Sequence, residues 1–139
     1  MRILFDTNVI LDALLARDPH STAAVLLMDV VARKKMEALL GATTITTIYY
    51  LAAKATSAKV ARQRVTDLLG IFDVAPVTAR VLNDALNLRF NDYEDAVLHE
   101  AARHAGATAI LTRNPKDFSA SKLSVYQPTE LLRMLNATT

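Results

Sequence analysis

The chain has 139 residues, of which 52% are hydrophobic and 22% charged, and its formal net charge at pH 7 is +2. A domain of this size buries roughly 70% of the surface its unfolded chain exposes, so residues 1–139 are expected to form one domain with a proper core. Cysteine is absent, which excludes disulfides, thiolate zinc sites and cysteine nucleophiles and leaves any metal to oxygen or imidazole ligands.

A sequence pI near 9.0 assists contact with a polyanion without demanding it. Mean hydropathy is +0.20, on the apolar side for a small soluble domain, and predicts apolar surface covered by a partner, through a homodimer or a bound peptide. Asp6 and Asp12 interrupt the apolar N-terminus, which therefore does not read as a signal peptide. No segment approaches the roughly 20 apolar residues of a membrane span, so a cytoplasmic protein with no membrane partner is expected.

In chain order, residues 2–5 read as a strand and about 8–16 as a helix. A longer helix over about 20–36 carries Ala23, Leu26, Leu27, Val30 and Val31 at helical spacing. A second strand is expected near Ala38 to Ala42. Thr43 to Thr47 offer capping hydroxyls for a helix through Ile48, Leu51 and Ala52, and Ser57 starts another that reaches about Leu69, where Gly70 stops it. Ile71 to Val74 read as a strand. Thr78 opens a helix with Val81, Leu82, Ala85 and Leu88 on one face, and Asp92 opens the next, ending near Ala105-Gly106. Ala107 to Leu111 and Leu123 to Tyr126 are short strands, and Pro128 suits the first turn of a last helix, Thr129 to Met134. Strands separated by helices imply an α/β fold, a three-layer α/β/α sandwich with a central, mainly parallel sheet.

Three segments carry the chemistry. Asp6 ends the apolar run Met1 to Phe5 and precedes a helix, so it is either an N-cap or a carboxylate delivered to the carboxyl end of a strand, where ligands of parallel sheets gather. Asp92 and Asp95 lie three apart at a helix start and point to one side, although an acid there is also a good cap stabilised by the helix dipole. Leu111-Thr112-Arg113-Asn114-Pro115-Lys116-Asp117 is again a strand running into a polar turn. Taken together, these Asp and Asn oxygens suit a hard divalent cation, Mg²⁺ or Mn²⁺, and phosphodiester hydrolysis. Arg113 and Lys116 flank a proposed ligand and are candidates for binding a phosphate backbone.

Phe5-Asp6-Thr7-Asn8-Val9-Ile10-Leu11-Asp12, Asp92-Tyr93-Glu94-Asp95-Ala96 and Leu111 to Phe118 together resemble, in order and spacing, the PIN-domain ribonucleases, especially the VapC-type toxins. The resemblance implies a metal-dependent endoribonuclease of PIN-like fold, with catalytic and metal-binding acids at Asp6, Asp95, Asp92 and Asp117, and with Asn114 as a further ligand. Asn8 and Thr112 match neighbours that orient these ligands. The segment Ala42 to Tyr50 is similar to the family's second motif but carries Thr47 where an acid is usual, so the cluster is short of one charge. The resemblance also implies RNA as substrate, an antitoxin protein as partner, and a homodimer.

Lys54, Lys59, Arg62 and Arg64 read as a solvated helix face, His20, His99 and His104 as structural or surface residues, and Tyr49 and Tyr50 as core or interface residues. Two other functions compete. Phosphoaspartyl transfer also uses an acid after a first strand, but it needs a second acid nearby and a later lysine, a pattern these turns fit poorly. A PIN-fold binding module with weakened catalysis would explain Thr47 and Asn114.

Overall fold

The structure is a computed structural model describing residues 1–137. Arg2–Phe5 forms the central strand β1, followed by α1 (Thr7–Leu14) and α2 (Ser21–Ala32), then β2 (Glu37–Gly41), α3 (Ala42–Ala55) and α4 (Ala58–Ile71). After β3 (Asp73–Ala75) come α5 (Ala79–Leu86) and α6 (Tyr93–His104), then β4 (Ala109–Leu111), a short 3₁₀ helix (Pro115–Phe118), β5 (Ser124–Tyr126) and α7 (Pro128–Ala137). The strands form one sheet of order β3-β2-β1-β4-β5 with every pairing parallel.

Period-two alternation of the strands sorts their side chains between two cores. Ile3, Phe5, Ala38, Leu40, Ala109 and Leu111 meet α1, α2, α3, α4 and α7 on one face. Leu4, Leu39 and Ile110 meet α5 and α6 on the other, together with Phe118 of the 3₁₀ helix. The expected three-layer α/β/α sandwich is therefore present.

Local chemistry explains several helix starts. Ser57 Oγ accepts from the Val60 amide, Thr78 Oγ1 from that of Val81, and an Asp92 carboxylate oxygen from that of Glu94, each satisfying an orphan donor of a first turn. Tertiary packing overrules other expectations. α4 continues through Gly70 to Ile71, because Leu68 is buried in the core and Ile71 packs against it, which outweighs a glycine penalty of about 1 kcal/mol. α2 stops at Ala32 rather than reaching residue 36, with Arg33 capping its end and Lys34 at φ 59 turning the chain into β2. The threonines after Gly41 do not cap α3. That helix begins at Ala42 without a side-chain cap, and Thr44, 1% exposed, turns its hydroxyl to that of Thr7 at 2.7 Å. Gly41 itself lets α6 approach the end of β2, since a Cβ there would lie 2.5 Å from Leu98 Cδ2.

Candidate active site

β1 is the point where the strand order reverses: the chain moves from β1 outward through β2 to β3, then crosses back to β4 on the other side of β1. Crevices at such switch points, outside the carboxyl ends of the strands, are where open α/β sheets bind ligands. Asp6 is the first residue beyond β1, only 6% exposed, and its amide continues the sheet by donating to the Leu111 carbonyl at 2.8 Å.

Asp6 is the N-cap of α1 and stands at the carboxyl end of β1. Oδ1 accepts from the Thr7 amide at 2.8 Å as the N-cap of α1, and Oδ2 accepts from Thr112 Oγ1 at 2.8 Å. Burial pushes its pKa above the ordinary carboxylate value and the nearby Asp117 charge adds to this, while the bonds from Thr112 and Thr7 and the charge of Arg113 oppose it.

Asp95, half-buried in the first turn of α6, is raised to about 7 from an ordinary 3.8. Desolvation is the largest cause, followed by the charges of Asp6, Asp92, Asp117 and Glu94. The chain therefore brings four of the expected acids, Asp6, Asp92, Asp95 and Asp117, into one field of mutual repulsion. Glu94 joins them without having been expected.

Asp117 is carried by the 3₁₀ helix, whose Phe118 is 1% exposed and stacks edge-on against Phe90 with centroids 5.8 Å apart. Asn114 precedes that helix, and its amide donates to Thr112 Oγ1 at 3.1 Å. Asn8 accepts from Arg17 Nη1 at 3.4 Å and makes no hydrogen bond to a carboxylate of the cluster. Thr47 is half-buried on α3, one turn beyond Thr44, and makes no side-chain hydrogen bond among the described residues. Lys116 is exposed. Arg113 Nε lies 2.8 Å from Asp12 Oδ2.

The donor chemistry fits a hard cation: an all-oxygen set in which desolvation first, and the neighbouring carboxylate charges after it, drive Asp95 toward protonation. The set is open. Among the described residues, the group of three ligand-type side chains whose donor atoms all lie within 4.8 Å of one another is Asp84, Glu100 and His104, away from this edge. That group is already served by Arg103, whose Nη2 lies 2.9 Å from Glu100 and 3.5 Å from Asp84. A wider acid set suits a hard divalent cation that keeps several waters and binds through a few carboxylates plus substrate.

A family model described as PIN domain matches residues 2–116. The chain belongs to the PIN domain family. Ribonuclease VapC1 of Aquifex aeolicus (strain VF5) is similar to this PIN chain, with 25% identity over 140 residues covering 97% of this chain and 96% of that one. Among solved structures, the fold is similar to that in VapBC2 from Rickettsia felis bound to a DNA fragment from its promoter, with a TM-score of 0.72 at 15% identity, covering 91% of this chain and 98% of that one. It is also similar to a chain of a toxin–antitoxin complex from Klebsiella pneumoniae, with a TM-score of 0.70 at 21% identity, covering 91% and 97%.

The residues that the sequence left unassigned are Thr7, Thr44, Asp12 and Arg17. For Asp12 a signal was present: a carboxylate three residues after Val9 on the apolar face of the same helix, where it ends up 1% exposed.

Proposed function

We propose that this PIN chain is a metal-dependent endoribonuclease that hydrolyses RNA phosphodiester bonds, and that it is the toxin of a toxin–antitoxin pair acting in the cytoplasm. The observation that carries the reading is the oxygen-only acid field around Asp6 and Asp95 at the switch point of the sheet. The similarity to Ribonuclease VapC1 supports the reaction class.

Asp6, Asp92, Asp95, Asn114 and Asp117 would hold Mg²⁺ or Mn²⁺ here. Such an ion, when bound, supplies charge neutralisation for a phosphodiester and acidification of an attacking water. The chain's own side chains do the rest. Thr112 and the Thr7 amide fix both oxygens of Asp6, and Asp95, raised to about 7 in the metal-free chain, gives up its proton to hold the ion. Arg113 and Lys116 receive the RNA backbone beside the acids, with Asn8, Thr47 and Thr112 supporting the site.

Val25 and Leu26 on α2, Tyr50 on α3 and Leu86 on α5 are each at least half exposed. These exposed apolar groups, which lie on both outer layers, support a homodimer and an antitoxin segment as covering partners. No helix among the described residues is long and apolar enough to cross a membrane. The test is cleavage of RNA with Mg²⁺ or Mn²⁺, with Asp6→Asn and Asp95→Asn as controls; cleavage that survives both changes refutes the assignment. A second reading, a PIN-fold module that binds RNA or protein with weakened catalysis, rests on Thr47 adding no charge where the family places an acid. Binding without Asp6-dependent cleavage would favour it.

A further inference from the structure

Asp12 lies one and a half turns into α1, follows the buried Val9, Ile10 and Leu11, and is itself 1% exposed. Burying a carboxylate costs several kcal/mol unless it is paired, and a well-packed apolar residue in such a place is often at least as stable. Its pairing is therefore informative. Oδ2 lies 2.8 Å from Arg113 Nε and Oδ1 lies 3.7 Å from Arg17 Nη1, so one buried anion faces two arginines that are only partly buried. The Arg113 contact is close but poorly aligned: Nε and Asp12 Oδ1 are both buried and neither makes a well-directed hydrogen bond.

Arg113 directly follows Thr112, which bonds Asp6, and its charge acts on Asp6. Its closest protein contact is made through Nε, and among the described residues no hydrogen bond is made by the two Nη groups, a planar fork of donors suited to a phosphate. Arg113 also walls a cavity of ≈ 100 Å³ shared with His20, Gln127 and Thr129, so space adjoins it. A phosphodiester entering a field of five carboxylates needs a fixed cationic counterpart, and a guanidinium held beside a buried carboxylate provides it without the entropy loss of a free side chain.

We propose that Asp12 is a positioning residue, whose buried carboxylate aims Arg113, flanked by Arg17, at the RNA phosphate beside the acid cluster. This rests on the ribonuclease reading. The loosely aligned Asp12–Arg113 contact and the 3.7 Å gap to Arg17 are the slack that closes when phosphate loads the guanidinium, as catalytic hydrogen bonds often tighten only in the complex.

Electrostatics and positioning predict opposite signatures. Deleting a buried negative charge strengthens the general pull on RNA, so charge alone predicts a lower KM and an unchanged kcat for Asp12→Asn. Positioning predicts a kcat lower by about tenfold or more, with KM unchanged or lower. In a cycle with Arg113→Lys, which keeps the charge and loses the fork, the double variant should be no slower than the worse single one. An unchanged kcat in Asp12→Asn, or losses that multiply, would overturn the proposal. If Asp12→Asn does not fold, Arg113→Lys decides alone, a wild-type kcat overturning the proposal. A readout free of catalysis separates the two readings. In ¹⁵N-arginine spectra at neutral pH, without metal and with inorganic phosphate added, the Arg113 Nε–H signal, identified by its loss in Arg113→Lys, should gain protection in the wild-type protein and stay exchange-broadened in Asp12→Asn. Equal protection in both overturns the positioning, whereas a protected signal in a protein without Asp6-dependent cleavage would overturn the ribonuclease reading and, with it, the role assigned to Arg113.

Discussion

Thr112 donates its hydroxyl hydrogen to Asp6 Oδ2 across 2.8 Å, joining the ends of two paired strands that are 106 residues apart in the chain. Thr112 Oγ1 also accepts from the Asn114 amide at 3.1 Å, so one hydroxyl sets both the Asp6 carboxylate and the turn that leads to Asp117. Thr112 is fully buried, so water cannot take its place.

Replacing Thr112 with Val should therefore strand two polar groups at once. Each buried group left unsatisfied costs about 1–3 kcal/mol, and the effect should appear as a lower midpoint in urea unfolding. With the stabilising bond gone, the Asp6 pKa rises further and cation affinity falls. Thr112→Ser keeps the hydroxyl and should recover most of both losses; a Ser variant as impaired as Val would mean that the methyl packing, not the bond, matters.

Asp95 gives the metal-free protein a pH-dependent weakness. Its carboxyl is raised from 3.8 to about 7 on folding, by desolvation first and then by its acidic neighbours. Between those values the folded state holds a proton that the unfolded state has lost, so this group makes stability fall as pH rises from about 4 to 7. Asp95→Asn should raise the metal-free melting temperature at pH 8 relative to wild type and remove this part of the pH dependence. Mg²⁺ should stabilise the wild type at pH 8 far more than the Asn variant. Equal shifts on adding Mg²⁺ would place the ion elsewhere.

Much of this site was readable because its signals are local. An acid at the end of an apolar run predicts a strand-end carboxylate, and caps such as Ser57, Thr78 and Asp92 announce their helices through the amides they serve. What was not readable depends on distant partners. Gly70 stays helical because Leu68 is buried, Thr44 faces Thr7 rather than capping, and Asp12 finds Arg113 only once β4 lies beside β1. The convergence of Asp95 with Asp6 required the strand order to reverse at β1, which alternating helices and strands allow but do not specify.

Thr47→Glu tests the missing charge directly. Thr47 lies one turn along α3 from Thr44, whose hydroxyl reaches Thr7 next to Asp6, and the proposed site predicts that a longer acid there joins the cluster. The variant should bind Mn²⁺ more tightly in calorimetry and cleave RNA faster, and without metal it should lift the Asp95 pKa above its value of about 7. Unchanged Mn²⁺ affinity would show that Thr47 stands outside the site.

His99, one turn beyond Asp95 on α6, supplies the opposite pH response. It is fully buried, its Nε2 accepts from the Lys122 amide at 3.0 Å, and its Nδ1 therefore carries the hydrogen that meets Glu100 Oε2 at 2.8 Å. Desolvation, opposed by Glu100, holds its pKa below the ordinary 6.5. From that lowered value up to 6.5 the unfolded state binds the extra proton, so His99 contributes stability that is complete above 6.5 and is lost as pH falls through the folded pKa. His99→Gln can keep both bonds with an amide that does not titrate, and should flatten this acid limb in melting experiments. His99→Phe strands the Lys122 amide and a Glu100 oxygen and should cost about 1–3 kcal/mol per group at every pH. An acid limb that persists unchanged in His99→Gln would assign it to Glu100, whose own pKa is lowered chiefly through the bond from Arg103 against the opposing effect of burial.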